Sequence, residues 1–277
     1  MFITRTISGA VLVLVSFLFI WLGGPFIAGF AMLLSIGAFY EMTKALGTFK
    51  EKPFNALTVW GYISIIAYYI LVAFSVDRMW LVICIALSVI LLLSVYVLSF
   101  PKYDVNEVMG AAFAYIYAPL MLSFLPLTRY LENGKLIVWI IYVCAWGYDT
   151  CAYLVGVSTA KTVGNHKIFP KLSPKKSLEG IIGGVIGAAL LTLLYGKLAM
   201  GNISGISESS GMFLIIGAVG ALIAQLGDLA ASAVKRNKNI KDYSHLIPGH
   251  GGILDRFDSI IFTAPVTYLL YVLLISK

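Results

Sequence analysis

Nine apolar runs, each long enough to cross about 30 Å of hydrocarbon as a helix, decide most of what this 277-residue chain can become. They fall near residues 7–23, 25–42, 55–75, 79–99, 108–128, 136–157, 178–200, 212–234 and 256–276. Only 12% of the residues are charged while 60% are apolar, so the polar surface that a soluble domain of this length needs is missing. The pattern predicts an all-α, polytopic integral membrane protein with about nine transmembrane helices. The first run, "ISGAVLVLVSFLFIWLGG", lacks a small-x-small cleavage pattern and leads straight into further apolar sequence. It reads as a retained helix and not as a signal peptide.

The basic residues set an orientation. With the N-terminus cytoplasmic, Arg5, Lys44, Lys50, Lys52, Lys102, Lys161, Lys167, Lys171, Lys175, Lys176, Lys235, Arg236, Lys238, Lys241 and Arg256 all fall inside. Only Arg78, Arg129, Lys135, Lys197 and Lys277 fall outside. An excess of cytoplasmic Lys and Arg is the ordinary rule, and the sequence therefore predicts a multi-pass protein of the cell membrane. The net charge of +7 suits anionic lipid headgroups or phosphorylated substrates in such a chain better than nucleic acid. Before residue 136 the loops are short. After it come two long basic loops, 158–177 and 235–255, which hold all three histidines. Residues 1–130 thus read as a scaffold and 131–277 as the working region. Cys84, Cys144 and Cys151 sit in apolar stretches without metal-type spacing and read as packing residues.

Four carboxylates stand out. Asp149 lies about 13 residues into the sixth run and Asp228 about 16 into the eighth, both counted from the outer side. At 1.5 Å per residue each reaches roughly 20–24 Å in, towards the cytoplasmic boundary. Asp255 and Asp258 open the ninth run from the cytoplasmic side, so all four are expected at a similar depth. Ionisable groups within spans cost about 2.5–3.5 kcal/mol each on insertion scales, which makes them functional candidates. The alternative is a structural network in which an aspartate pairs with a lysine or arginine. Asp255 and Asp258, spaced i, i+3, share a helix face and suit Mg²⁺, which takes one or two carboxylates plus phosphate oxygens; the alternative is acidic capping of a helix start. Asp228, Ser232 and Lys235, at i, i+4 and i+7, form one polar stripe on an otherwise apolar helix, as expected beside a cavity or a polar neighbour.

Two segments look built for anions. In "PGHGGILDRFD" the glycines Gly249, Gly251 and Gly252 flank His250 just ahead of a helix start, where bare N–H groups can meet a phosphate. His250 is then a phosphate or loop contact, or else a metal ligand or an acid/base. In "NHKIFPKLSPKKSLEG" Ser173 and Pro174 read as N-cap and first residue of a helix. That places Lys175 and Lys176 in its first turn, which the helix dipole disfavours unless a strongly negative ligand sits there. Beyond them Gly180, Gly183, Gly184 and Gly187 give two overlapping GxxxG spacings, a signature of close helix packing.

Acids, lysine-rich loops and a cytoplasmic-facing membrane cavity point to phosphoryl or nucleotidyl transfer on a lipid, chemistry that needs mainly positioning and charge neutralisation. The sequence holds no Walker A, HExxH, CxxC or GxSxG motif, against nucleotide-loop, zinc-protease, redox and acyl-hydrolase readings.

The stretch "SAVKRNKNIKDYSHLIPGHGGILDRFDS", Ser232 to Ser259, resembles the C-terminal signature of the phosphatidate cytidylyltransferases (CDP-diacylglycerol synthases). Its marks are Ser232, Lys235–Arg236, Lys241–Asp242, Pro248, His250–Gly251–Gly252, Asp255–Arg256 and Asp258. "WGYDTCAYLVG", "SPKKSLEG" and "QLGD" are similar to further segments of that family. The resemblance covers residues 140–260; the first 130 match in hydropathy alone. The chain departs from the pattern between Tyr153 and His166, where it is longer and carries Val157 and Asn165 in place of basic residues.

The resemblance implies transfer of CMP from CTP to phosphatidate, giving CDP-diacylglycerol and pyrophosphate, with Mg²⁺ and a monovalent cation such as K⁺. It implies metal ligation by Asp228, Asp255, Asp258 and Asp149, and a catalytic set of Asp228, Asp255, Asp258, Lys235, Arg256 and His250. Lys167, Ser173, Lys175, Lys176, Ser232, Arg236, Gly251 and Gly252 would bind substrate phosphates, which carry roughly six negative charges in all. A homodimer is also implied. The neighbouring readings are a CTP-dependent polyprenol kinase, a CDP-archaeol synthase and, from another class, an ion-coupled transporter.

Overall fold

A computed structural model describes residues 2–49, 53–160, 164–201 and 210–275, with backbone alone at 2–6, 200 and 210. Lys50, Lys52, Lys161 and Lys277, and the side chain of Arg5, lie outside the described residues. The described chain is helical, and its only β-type contacts are two isolated bridges. Eight stretches are long and apolar enough to cross a membrane, and Ile7–Leu22 adds a shorter one. The chain is a polytopic all-α membrane protein. It divides into two compact units, Met1–Glu132 with Asn237–Phe257, and Asn133–Arg236 with Asp258–Lys277.

The first unit holds α1 (Phe2–Leu22), α2 (Gly24–Leu46), α3 (Ala56–Ala73), α4 (Arg78–Leu98), α5 (Val105–Tyr115) and α6 (Phe124–Arg129). The turn from α1 to α2, at "GGP", is tight: Gly23 alone separates the two helices. Gly23 takes φ +65°, and a Cβ on it would lie 2.7 Å from the Arg129 guanidinium. Arg129 Nε donates to the Ile20 carbonyl at 3.0 Å, one of the carbonyls left open where α1 ends. Capping boxes at Asn55–Thr58 and Asp104–Glu107 start α3 and α5.

The fifth apolar run, read as a single helix, is broken instead. Pro119 has no N–H for the i→i−4 ladder, and Ile116–Leu120 form a π turn between α5 and α6. The Pro119 carbonyl accepts from the Tyr69 hydroxyl at 2.9 Å, and that hydroxyl also meets Ser35 Oγ at 2.7 Å. Polar groups inside the bundle thus satisfy backbone that lipid could not. By contrast α4 buries only Leu81, Ser88 and Leu92; most of its remaining surface is apolar, as a lipid-facing helix requires.

The second unit contains α7 (Gly134–Thr159), α8 (Leu178–Met200), α9 (Ser210–Asn237) and most of α10 (Leu254–Leu274). Its helices meet through glycine, as the GxxxG spacings predict. A Cβ on Gly183 would fall 2.5–2.6 Å from three side-chain atoms of Val155, one on Gly184 2.7 Å from the Tyr148 ring, and one on Gly187 2.5 Å from Cys151 Sγ. With hydrocarbon outside, no hydrophobic gain separates helix from lipid, so such close contact supplies the association. This glycine face is spent on α7 of the same chain. The cysteines are free, and Cys144 is fully buried beside Thr192 and the Ile216 carbonyl.

Candidate active site

In the second unit the acids converge. Asp149 stands on α7, Asp228 on α9 and Asp258 on α10. Asp258 is buried, at 9% exposure, and lies within electrostatic range of Asp228, Lys235 and Asp149. Its Oδ1 accepts from the Ser259 amide at 2.6 Å and from Ser259 Oγ at 3.3 Å. Asp228 Oδ2 pairs with Lys176 Nζ at 2.6 Å, both side chains less than a third exposed. Asp258 is thus within electrostatic range of two of the other carboxylates singled out in the sequence, and the pairing of Asp228 with a lysine is realised as well.

Glycine makes this gathering possible. A Cβ on Gly227 would meet the Asp258 carbonyl at 2.5 Å, so α9 and α10 touch backbone to backbone beside Asp228. Next to it the Tyr148 hydroxyl donates to the buried Gln225 Oε1 at 2.7 Å. Both residues lie outside the set expected from the sequence, although a glutamine within an apolar span is itself a legible signal.

A cavity of about 550 Å³ opens alongside, and its lining includes Tyr148, Asp149, Gly156, Asn165, Lys175 and Lys176. Its walls are mostly apolar, and Tyr153 and Val157 at its edge are 69% and 54% exposed. Such a space takes a molecule with an apolar body and an anionic end.

The lysine loop is built differently from its expected form. Ser173 is not a helix N-cap. Its carbonyl accepts from the Lys176 amide at 3.2 Å, closing a turn with Pro174 at the second position, where its fixed φ fits. The true N-cap is Ser177, whose Oγ accepts from Gly180 N at 3.2 Å. Lys175 and Lys176 therefore precede the helix, and the dipole penalty that seemed to require an anion there does not apply. The acid favoured in the first turn is Glu179. It meets His166 Nδ1 at 2.5 Å, while Leu178 N donates to the His166 carbonyl at 2.8 Å. Lys167 Nζ donates to the Lys175 carbonyl at 3.0 Å and Arg236 Nε to the Leu172 carbonyl at 3.4 Å. Both cations hold the loop in shape. Ser232 and Lys235 follow Asp228 on α9, half-buried, as the polar stripe predicts.

In the first unit the glycine loop forms a closed hairpin. Ile247 N donates to Gly251 O and His250 N to Ile247 O, each at 2.9 Å. Gly249 and Gly251 take φ +75° and +85°, values that glycine alone adopts without strain. The N–H groups expected to be bare are occupied by the chain's own acids. Asp255 Oδ2 accepts from Gly252 N at 3.0 Å and Tyr243 N at 2.9 Å. Glu41, on α2, accepts from Ile253 N at 2.9 Å, Leu254 N at 2.8 Å and Ser244 Oγ at 2.5 Å. The start of α10 is thus neutralised from within. Arg256 Nε donates to the His250 carbonyl at 2.7 Å, leaving this guanidinium anchored to the loop.

Among the described residues no group of three or more His, Cys, Asp or Glu stands ready to hold a metal ion. The donor chemistry in the second unit still fits Mg²⁺, which keeps several waters and takes one or two carboxylates together with phosphate oxygens.

Helices of this length, glycine-welded around an acid–lysine cluster, are accompanied by a clear kinship. The chain belongs to the cytidylyltransferase family, whose model matches residues 3–274. It is similar to the phosphatidate cytidylyltransferase of Staphylococcus epidermidis, 30% identical over 271 residues, 97% of this chain and 98% of that one. The Rickettsia prowazekii protein of the same name is 33% identical over 226 residues, 81% and 95% of the two chains. For that of Rickettsia typhi the figure is 42% over 155 residues, 56% of this chain and 66% of the relative.

Proposed function

We propose that this chain is a phosphatidate cytidylyltransferase of phospholipid biosynthesis, joining CTP and phosphatidate to CDP-diacylglycerol and pyrophosphate. The observation that carries the reading is the Lys176–Asp228 pair beside a mostly apolar cavity of about 550 Å³. A phosphate on an apolar tail would seat its tail along the cavity and its anion against Lys175 and Lys176.

In the reaction a phosphate oxygen of phosphatidate attacks the α-phosphorus of CTP in line. The bond from that phosphorus to the oxygen bridging to the β-phosphate breaks, and pyrophosphate leaves with the electron pair. No proton need be removed from a phosphate already ionised. Lys176 exchanges Asp228 for the lipid phosphate, while Lys235 and Lys175 offset charge on the two substrates, as charge-assisted contacts do best. Asp228 and Asp258, with Asp149 close by, would hold Mg²⁺, which would supply charge neutralisation at the transferring phosphorus. K⁺ belongs to the same expectation. Asp255, His250 and Arg256 enter the proposal through the sequence signature that they complete. The basic loops would face the cytoplasm in the cell membrane, where CTP is found, and the active form would be a homodimer.

The test is turnover by detergent-purified protein given CTP, phosphatidate and Mg²⁺, following pyrophosphate and CDP-diacylglycerol together. Equal release of both, abolished by EDTA and by Asp228→Asn, is expected. A folded protein that forms neither would overturn the reading, and activity with polyprenol in place of phosphatidate would redirect it to a lipid kinase.

A further inference from the structure

The glycine loop that leads into Asp255 and Arg256, in the first turn of α10, is held in place by helices at the other end of the chain. Ser8 Oγ on α1 donates to the Pro248 carbonyl at 2.9 Å, and the Gly9 position packs against the His250 ring, where a Cβ would stand 3.5 Å from Nε2. Lys238 Nζ donates to the Leu46 carbonyl at the end of α2, at 3.3 Å. At the centre is Glu41. It is 1% exposed, and its two carboxylate oxygens take three hydrogens from the loop and the first turn of α10. Gly252 has no side chain because there is no room for one: a Cβ would lie 2.5 Å from both Glu41 oxygens.

We propose that Glu41 is a positioning residue for the transfer reaction, fixing the loop that presents Asp255 and Arg256. The inference rests on the function proposed above but on separate observations. The geometry is selective for a carboxylate. Oε1 accepts from Ile253 N and Ser244 Oγ while Oε2 accepts from Leu254 N, so every hydrogen runs towards the acid. A glutamine in the same place would aim an NH₂ group at a backbone N–H, donor against donor. An aspartate, one methylene shorter, would not span both amides. Asp255 depends on this arrangement, since it takes its own hydrogens from Gly252 and Tyr243, and Gly252 immediately precedes the residues that Glu41 holds. A carboxylate at this point does for the helix start what a bound phosphate does elsewhere. The loop is therefore poised before any substrate arrives.

The experiment compares full-length wild type, Glu41→Gln and Ser244→Ala in detergent, measuring kcat, the KM for CTP, melting and protease cutting within 237–257. Losing a charge-assisted bond and leaving an amide unmet should lower kcat about ten- to a hundredfold in Glu41→Gln. The KM for CTP should stay within about twofold, with faster cutting of the loop. Ser244→Ala, which removes one of the three donors, should give a smaller drop, and the double variant should fall no further than Glu41→Gln alone. Glu41→Gln with wild-type kcat would overturn the proposal. So would equal losses of melting temperature and activity with no change in loop cutting, the mark of a merely structural acid. If Glu41→Gln does not fold, an unaltered kcat in Ser244→Ala would still overturn it. Wild type that fails to turn over counts against the proposed function alone, and loop cutting then decides the role of Glu41.

Discussion

Replacing Lys176 by methionine keeps the apolar stem and removes only the charge, so it isolates what the ammonium does. In the structure its Nζ meets Asp228 Oδ2 at 2.6 Å, with side chains 18% and 31% exposed. Surface pairs contribute about 0–1 kcal/mol, whereas removing one partner from a buried pair costs about 3–5 kcal/mol. This pair lies between, and about 2 kcal/mol of stability should be lost, because Asp228 is left among the carboxylates with Lys235. The catalytic loss should be larger, about 100- to 1000-fold, as for other groups aimed at charge in the transition state. CDP-diacylglycerol formation and the denaturation midpoint in the same detergent measure the two effects separately. Pairing Lys176→Met with Asp228→Asn should restore much of the stability, since the stranded charge is gone, yet none of the turnover. Activity within about threefold of wild type in the single variant, or regained in the double, would refute the reasoning.

Gly184→Ala should lower the detergent melting point by an amount equivalent to about 1–3 kcal/mol, because its Cβ would lie 2.7 Å from the Tyr148 ring; Gly29→Ala, with open space around it, is the neutral comparison. Tyr148→Phe should cost about 1–2 kcal/mol by leaving Gln225 Oε1 without its donor in a buried site, again read from the melt. Ser177→Ala removes the cap of α8 and should cost about 1 kcal/mol, with a fall in turnover beyond that if the lysine turn loosens.

The architecture could be read from hydropathy because lipid admits few backbone solutions, and each apolar run became helical. The exception, the fifth run, turned on Pro119, which breaks the helix within it. The acids of the second unit were legible for the same reason: Asp149 and Asp228 stand out against hydrocarbon. Glu41 was not, although it obeys the same rule. The second run, taken to end at residue 42, leaves Glu41 at its very edge, whereas the helix continues to Leu46. The lysine loop was misread because Ser173–Pro174 and Ser177 both carry the chemistry of a helix start, and only the turn closed by Lys176 N decides between them.

The bond between Glu41 and Ile253 spans 212 positions, and translation runs in one direction. When α2 is made, its acid lacks these partners, and Ser244, Ile253 and Leu254 emerge only 203, 212 and 213 positions later. An ionisable group stranded within a span costs about 2.5–3.5 kcal/mol, so the nascent protein carries a debt until residues 244–254 have been made. A chain released short of residue 253 keeps that debt for good. The seating of the second helix thereby depends on a segment, residues 244–254, made more than 200 positions after it.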